Sequence, residues 1–276
     1  MNRKAFAYPY IVWMGIFIIV PMAMVVVCAF TTDFSSGDFT FTLANFDRLI
    51  NSELNYVEVY VRSIKLALIC TVICLAIGYP VSYIIADRKM KLPSLLIIMF
   101  IMPMWMNFLL RTYAIRHILN TVPFLTGLMA TEGGVVLGMV YNYLPFMILP
   151  IYSSLTKLDT SLTEAASDLG ASPAGVFRRV VLPLSVPGIV SGITMVFMPA
   201  ISTFAISSML GRGMVRMIGD RIEYLFQRGI YNFGSAISFV LMIIILLCML
   251  IMNYFDSPKR SGGKRSKAVR GHEKPH

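Results

Sequence analysis

The strongest constraint on this chain is where its charges do not fall. Six stretches of 19 to 32 residues carry no Asp, Glu, Lys or Arg: 8–30, 66–86, 92–110, 133–156, 180–211 and 229–255. A helix of about 20 apolar residues crosses the hydrocarbon core of a bilayer. Inside that core only a helix or a closed barrel satisfies its own backbone. The six runs predict an all-α, polytopic membrane protein with six transmembrane helices in residues 1–256. Composition agrees, since 57% of the 276 residues are hydrophobic and 14% charged, against roughly 45–50% and 25% in soluble domains. Run 180–211 is too long for one simple helix, and Pro183 and Pro187 are expected to leave its first part outside the core. Residues 118–131 are uncharged but too few to span, and are expected to be interfacial or re-entrant. The first run exceeds a signal-peptide core and lacks a small-residue cleavage site, so it is expected to stay in place.

With the N-terminus inside, the inner segments hold 15 Lys and Arg and the outer ones 9. Cytoplasmic loops carry the excess of basic residues, which predicts that both termini are cytoplasmic. The bilayer is then the expected partner of the basic tail 257–276, which is Gly-, Ser- and Lys/Arg-rich and expected to be disordered on an anionic leaflet. No nucleic-acid partner is expected. Arg212, Arg216, Arg221 and Arg228 share one outer loop with Asp220 and Glu223, where self-pairing is the expectation. Segment 31–60 carries Asp33, Asp38, Asp47, Glu53 and Glu58 against Arg48 alone; it suits attraction of a cation, contact with another protein, or a plain solvated loop.

Catalytic patterns are missing. The sequence has no H-E-x-x-H, no G-x-S-x-G, no pair of acids within a run and no G-x-x-x-x-G-K-[ST] phosphate loop. His117, His272 and His276 have no sequence partner, and Cys70 and Cys74, though on one helix face, are too few for a metal site. No catalytic residue and no metal ligand is assigned. The run centres also lack ionisable groups, which argues against proton coupling and for a driving force on a separate protein.

The informative segment is 157–187, between the fourth and fifth runs. Ser161 and Glu164 have capping-box spacing and predict a helix start. Gly170 suits a left-handed helix end. Ser172 and Pro173 restart a helix as cap and first residue, and Pro183 is expected to limit it. The small residues Ala165, Ala166 and Gly170 would allow another protein to approach closely.

Glu164-Ala165-Ala166, three residues, Gly170, nine residues, Val180, one residue, Leu182-Pro183 resembles the E-A-A-x3-G-x9-I-x-L-P loop of ABC importer permeases, with Val in place of Ile. The flanks Asp168-Leu169-Gly170-Ala171-Ser172 and Pro187-Gly188-Ile189 are similar too. Segments 103–113 and 144–155 resemble the polyamine (spermidine/putrescine) permeases of the PotB/PotH type. The resemblance implies a type I ABC importer permease fold and alternating access in a bacterial cytoplasmic (inner) membrane. It implies that Glu164, Ala165, Ala166, Asp168 and Gly170 dock a cytoplasmic ATPase, and that Pro183 turns the chain toward the fifth span. The implied partners are two copies of an ABC ATPase, a second related permease and an extracytoplasmic polyamine-binding protein. ATP-Mg would sit on the ATPase subunits, and no cofactor on this chain. Other solutes (ferric ion, thiamine, sulfate) and a non-transport membrane scaffold or receptor are the alternatives.

A polycation favours oxygens and aromatic faces. Trp105, Asn107, Tyr113, Tyr141, Asn142, Tyr143 and Phe204 are therefore the candidate pathway residues. Residues 141–143 begin about 12 Å into the fourth span at the helical rise. Gly134-x-x-x-Gly138 and Gly188-x-x-x-Gly192 have the spacing of close helix crossings, either within the chain or against a sister subunit.

Overall fold

The computed structural model describes residues 8–32, 40–51, 55–87 and 92–256. Asp33, Asp38, Glu53 and the tail 257–276, with the expectations attached to them, lie outside the described residues.

Helix α1 (Tyr8–Ala29) widens into a π-helical turn at Gly15–Ile19. Helix α2 (Ala44–Asn51) is short and amphipathic. Helix α3 (Tyr56–Ala86) starts well before its uncharged run, because Asn55 caps it by accepting from Glu58 N at 3.2 Å. An i,i+4 pair, Glu58–Arg62 at 2.6 Å, supports its first turns. At 31 residues it is about 46 Å long, so this charged end projects beyond a hydrocarbon core of about 30 Å.

The third run does not form one straight span. It breaks into α4 (Pro93–Trp105) and α5 (Phe108–Thr121), bent by 94°. Met106 is extended, Pro103 removes an N–H from the last turn of α4, and Asn107 caps α5 by accepting from Leu109 N at 2.9 Å and Leu110 N at 3.2 Å. The stretch expected to be interfacial divides into the end of α5 and a 3₁₀ turn at Pro123–Leu128.

Helix α6 (Glu132–Thr156) is capped by Thr131. It is followed by α7 (Thr160–Asp168), α8 (Pro173–Ser202), α9 (Ala205–Gly211), α10 (Ile218–Gln227) and α11 (Tyr231–Asp256). Among the described residues helices α1, α3, α6, α8 and α11 are long and apolar enough to cross a membrane, and the α4–α5 pair, bent by 94°, makes a sixth when it is counted as one broken span. The expected break at Pro183 is corrected. Helix α8 runs through it, with a π-helical turn at Phe177–Val181 ending two residues before Pro183. A widened turn is one of the ways a helix absorbs a missing N–H. The first part of run 180–211 is therefore helix continuous with the span.

Helices α3, α6 and α8 pack on one another as the core, with Leu66, Cys70, Met139, Met147, Ile151 and Ile201 fully buried. The glycine pairs act within the chain. A Cβ at Gly188 would meet Ser154 at 2.5 Å and the Pro150 carbonyl at 2.8 Å, one at Gly192 would meet Met147 Sδ at 2.7 Å, and one at Gly138 would collide with Leu210. Close approach of α8 to α6 and of α6 to α9 depends on these absent side chains. Helix α1 lies along α11, joined where Asn232 Nδ2 donates to the carbonyls of Cys28 and Thr31. Most of its apolar side chains are exposed, as a lipid-facing helix requires.

The two ends of the bundle are distinct. Lys65 Nζ meets Glu132 at 2.7 Å, and Ile218 N donates to Ser63 Oγ at 2.8 Å, so α3 and α6 start together at an end covered by α10. Helix α7 hangs from the opposite end.

Candidate functional site

The 157–187 loop is built by local punctuation at each step. The start of α7 is corrected by two residues: Asp159, not Ser161, is the cap, its Oδ1 accepting from Ser161 N at 3.0 Å. The other end is as the sequence predicts. Gly170 has φ +82°, Ala171 N donates to Ala166 O at 3.1 Å, and Gly170 N donates to Ser167 O at 2.9 Å. These are the 6→1 and 5→2 bonds of a Schellman ending. Ser172 then caps the next helix by accepting from Gly175 N at 3.3 Å, with Pro173 first inside it.

None of the nine residues of α7 is buried. Glu164, Ala165, Asp168 and Gly170 are exposed, Ala166 is half-buried, and Leu169 presents 88% of its surface. A helix this short gains little stability alone, and this one packs mainly against the start of α8. Glu164, Thr163, Asp159, Tyr83, Leu155 and Val181 line a pocket of about 720 Å³ where the loop leaves the bundle. An exposed capped helix beside a cleft is suited to be gripped by another protein.

The contact linking the loop to the bundle was not legible in the sequence. Phe177, in the π-helical turn, is half-buried and meets Tyr83 and Tyr79 edge-on, with ring centroids 5.3 and 5.9 Å away. Tyr79 Oη in turn lies 3.0 Å from Ser185 Oγ. A displacement of the loop thus meets α3 and α8 through packed side chains rather than through a flexible strand. Pro183 is exposed in the first turn after the widened segment.

The pathway candidates separate into two groups. Trp105, Tyr113, Tyr141 and Phe204 are 88%, 58%, 47% and 45% exposed. Asn107 spends its side-chain oxygen on the α5 cap. Asn142 is sealed, donating to Thr112 Oγ1 and the Gly138 carbonyl, and Tyr143 is buried with its hydroxyl 3.4 Å from the Pro199 carbonyl. The Asn142–Thr112 bond ties α6 to α5 just past the 94° bend.

Arg111 is buried beside it, with Nε and Nη1 meeting no hydrogen-bond acceptor, and Asn142 Oδ1 is likewise unpartnered. Arg111 directly follows the third charge-free run, and in the folded chain it is buried just past the bend. Among the described residues no group of three His, Cys, Asp or Glu could hold a metal.

A family model described as "Binding-protein-dependent transport system inner membrane component" matches residues 77–260, a range that contains the whole capped loop. The chain belongs to this family. The permease is 36% identical over 256 residues to the spermidine/putrescine transport system permease protein PotB of Escherichia coli K12, covering 87% of this chain and 92% of that protein. The Haemophilus influenzae protein of the same name is 37% identical over 264 residues, covering 90% and 91%. The permease fold matches a crystal structure of a bacterial ABC transporter that imports alginate, with a TM-score of 0.70 at 17% identity over 92% of this chain and 94% of that one. It is a multi-pass inner-membrane protein.

Proposed function

We propose that this permease imports polyamines, spermidine and putrescine, as one subunit of an ATP-driven complex working by alternating access. The observation that carries the coupling half is α7 itself, a capped helix with no buried residue, ended by a left-handed glycine and offering Glu164, Ala165, Ala166, Asp168, Gly170 and Leu169 to a partner. The similarity to proteins named as spermidine/putrescine permeases supports the solute.

In this reading two copies of an ABC ATPase hold ATP-Mg, one gripping α7 here and the other the equivalent loop of a second permease. An extracytoplasmic receptor delivers the polyamine. The α7 end faces the cytoplasm with both termini, in keeping with the basic excess on that side. When the ATPases close, α7 moves, Phe177 presses on Tyr79 and Tyr83, and α3 and α8 shift with it.

The exposed aromatics Trp105, Tyr113, Tyr141 and Phe204 would offer ring faces to ammonium groups between the two permeases. Asn107, Asn142 and Tyr143 would act behind them, fixing the α5–α6 junction. Carboxylates for the solute would come from the sister subunit.

The test is uptake of labelled spermidine and putrescine in cells lacking only this chain. Uptake lost and then restored by the chain supports the reading. Unchanged uptake, in cells without another polyamine importer, removes the solute.

A further inference from the structure

At the end of the bundle that carries α7, three serine hydroxyls are left over by the helices that hold them. A hydroxyl inside a helix commonly turns back to the carbonyl one turn earlier, as Ser63, Thr71, Thr194 and Ser238 do at 2.7 to 2.9 Å. Ser153 and Ser154 of α6 and Ser191 of α8 do not. All three are half-buried, and their hydroxyls have no hydrogen-bond partner among the described residues. They line one pocket of about 450 Å³ between the two helices, together with Lys157, the residue that ends α6. Lys157 is exposed and, among the described residues, in no ion pair with a carboxylate. The facing wall is apolar, with Leu184 42% exposed and Pro187 beside it.

Depth decides what such a pocket can hold. Helix α6 has 25 residues, about 37 Å at the helical rise, against a hydrocarbon core of about 30 Å. Its last turn therefore reaches the zone where acyl chains give way to headgroups. Ser154 packs on Gly188, which brings the neighbouring turn of α8 to the same level. A phosphate there finds a cation, three hydroxyl donors and an apolar wall for the first acyl carbons. Basic pockets between spanning helices on the cytoplasmic side suit anionic lipid headgroups for this reason. A polyamine carries the same charge as Lys157 and is turned away. A zwitterionic headgroup sets its own ammonium against that lysine, whereas a glycerol headgroup brings hydroxyls that can pair with the serines.

Resting on the reading above only for the cytoplasmic placement of the α7 end, we propose that the groove between α6 and α8 binds the phosphate of one anionic phospholipid of the inner leaflet, of the phosphatidylglycerol class. Lys157 pairs with the phosphate, Ser153, Ser154 and Ser191 donate to its oxygens, and Leu184 and Pro187 border the acyl chains. Lys157 stands two residues before Asp159, the cap of α7. The lipid thus fixes the root of the loop to the bilayer at the point where α6 hands over to α7.

The test uses the assembled permease–ATPase complex in nanodiscs of phosphatidylcholine, with or without a minor share of phosphatidylglycerol. Native mass spectrometry counts the lipid retained on release, and the melting temperature is read in parallel. Wild type should retain phosphatidylglycerol over phosphatidylcholine and melt higher with it. Lys157→Gln should lower that retention about fivefold and leave the melting temperature in phosphatidylcholine unmoved. Lys157→Arg should keep the lipid, and Ser153→Ala with Ser191→Ala should weaken it without any change of charge. Arg178 and Arg179 line a separate pocket, so changing both to Gln should leave retention as it is. Equal retention by wild type and Lys157→Gln would overturn the proposal, and is also the result expected of a groove covered by a sister subunit. Loss that follows Arg178 and Arg179 instead would overturn it as general attraction to the basic face. So would inorganic phosphate that raises the wild-type melting temperature in phosphatidylcholine as far as the lipid does, since the site would then hold a free anion. Both leaflets of a nanodisc carry the same lipid and no uptake is read, so the result stands apart from the orientation of α7 and from the solute.

Discussion

Replacing Gly170 with Ala isolates the contribution of one backbone angle to coupling. Gly170 sits at φ +82°, and a Cβ built there meets no atom within 4 Å. The substitution therefore introduces no clash, and its whole effect is the cost of holding an L-residue in the left-handed region, roughly 1–2 kcal/mol. That cost falls on a nine-residue helix with no buried side chain, held at this end by the two Schellman bonds. The remainder of the bundle does not touch the corner. A local penalty of this size shifts the competent population by a factor of about 5–30. The expected result is an affinity of the ATPase for permease vesicles weakened by about that factor, with the melting temperature of the permease itself unmoved. Gly170→Asn should be milder, because Asn tolerates the same region. Titration of purified ATPase onto vesicles of the three proteins reads the effect directly. Equal affinity for the Ala variant and wild type would refute the reasoning, as would a penalty for Ala no larger than for Asn.

Four further outcomes follow from other parts of the structure. Phe177→Ala removes two edge-on ring contacts, each worth about 0.5–1.5 kcal/mol, and should leave ATPase binding in place while uptake per ATP hydrolysed falls. Gly188→Ala drives a methyl into Ser154 and the Pro150 carbonyl, and overpacking of this kind costs about 1–3 kcal/mol, to be read as a lower melting temperature in detergent. Burial of Asp220 pushes its carboxyl up to about 6, against the opposing pull of the Met217 N–H, the Ser207 hydroxyl and Arg221. The folded state then holds this proton more tightly than the unfolded one, so stability is greatest below about 4 and declines as pH rises through about 6; Asp220→Asn should flatten the melting temperature over that window. Arg111→Met replaces a buried guanidinium that has two unfilled nitrogens, and should stabilise the isolated chain by about 1–3 kcal/mol. A loss of stability on that change, measured in the assembled complex, would mean that a partner supplies the missing acceptor.

The sequence carried the parts of the fold that depend on local chemistry. The six charge-free runs gave the crossings, because exclusion of charge is a property of each segment by itself. Gly170, Ser172 and Pro173 gave the corner of the loop, since a positive φ, a side-chain cap and a missing N–H are each tied to one residue type. What escaped was set by competition between neighbours. Asp159 and Ser161 both had the chemistry to cap α7, and the earlier residue took the position. Asn107, placed on the solute path for its amide, serves first as the cap that lets α4 and α5 part at 94°. Pro183 looked like a stop, yet the π-helical turn at Phe177–Val181 carries the helix past it. The partners of Asp220 and Glu223 could not be read from spacing, because each carboxylate accepts from a donor on its own helix or at its start, while Arg221 acts on Asp220 through its charge. Phe177 lay inside the nine-residue spacer of the loop pattern, which names no residue there; its contact with Tyr79 and Tyr83 depends on how α3 crosses α8.

The central claim is that force on α7 moves a polyamine. The direct measurement is accumulation of labelled spermidine in proteoliposomes that hold the permease with its sister permease and ATPase, with ATP-Mg on the α7 side and the loaded receptor on the opposite side. Saturable accumulation that requires both ATP and receptor, and that falls with Gly170→Ala in step with ATPase affinity, is the predicted result. ATP hydrolysis stimulated by the receptor with no spermidine accumulated, or accumulation indifferent to Gly170→Ala, would contradict it.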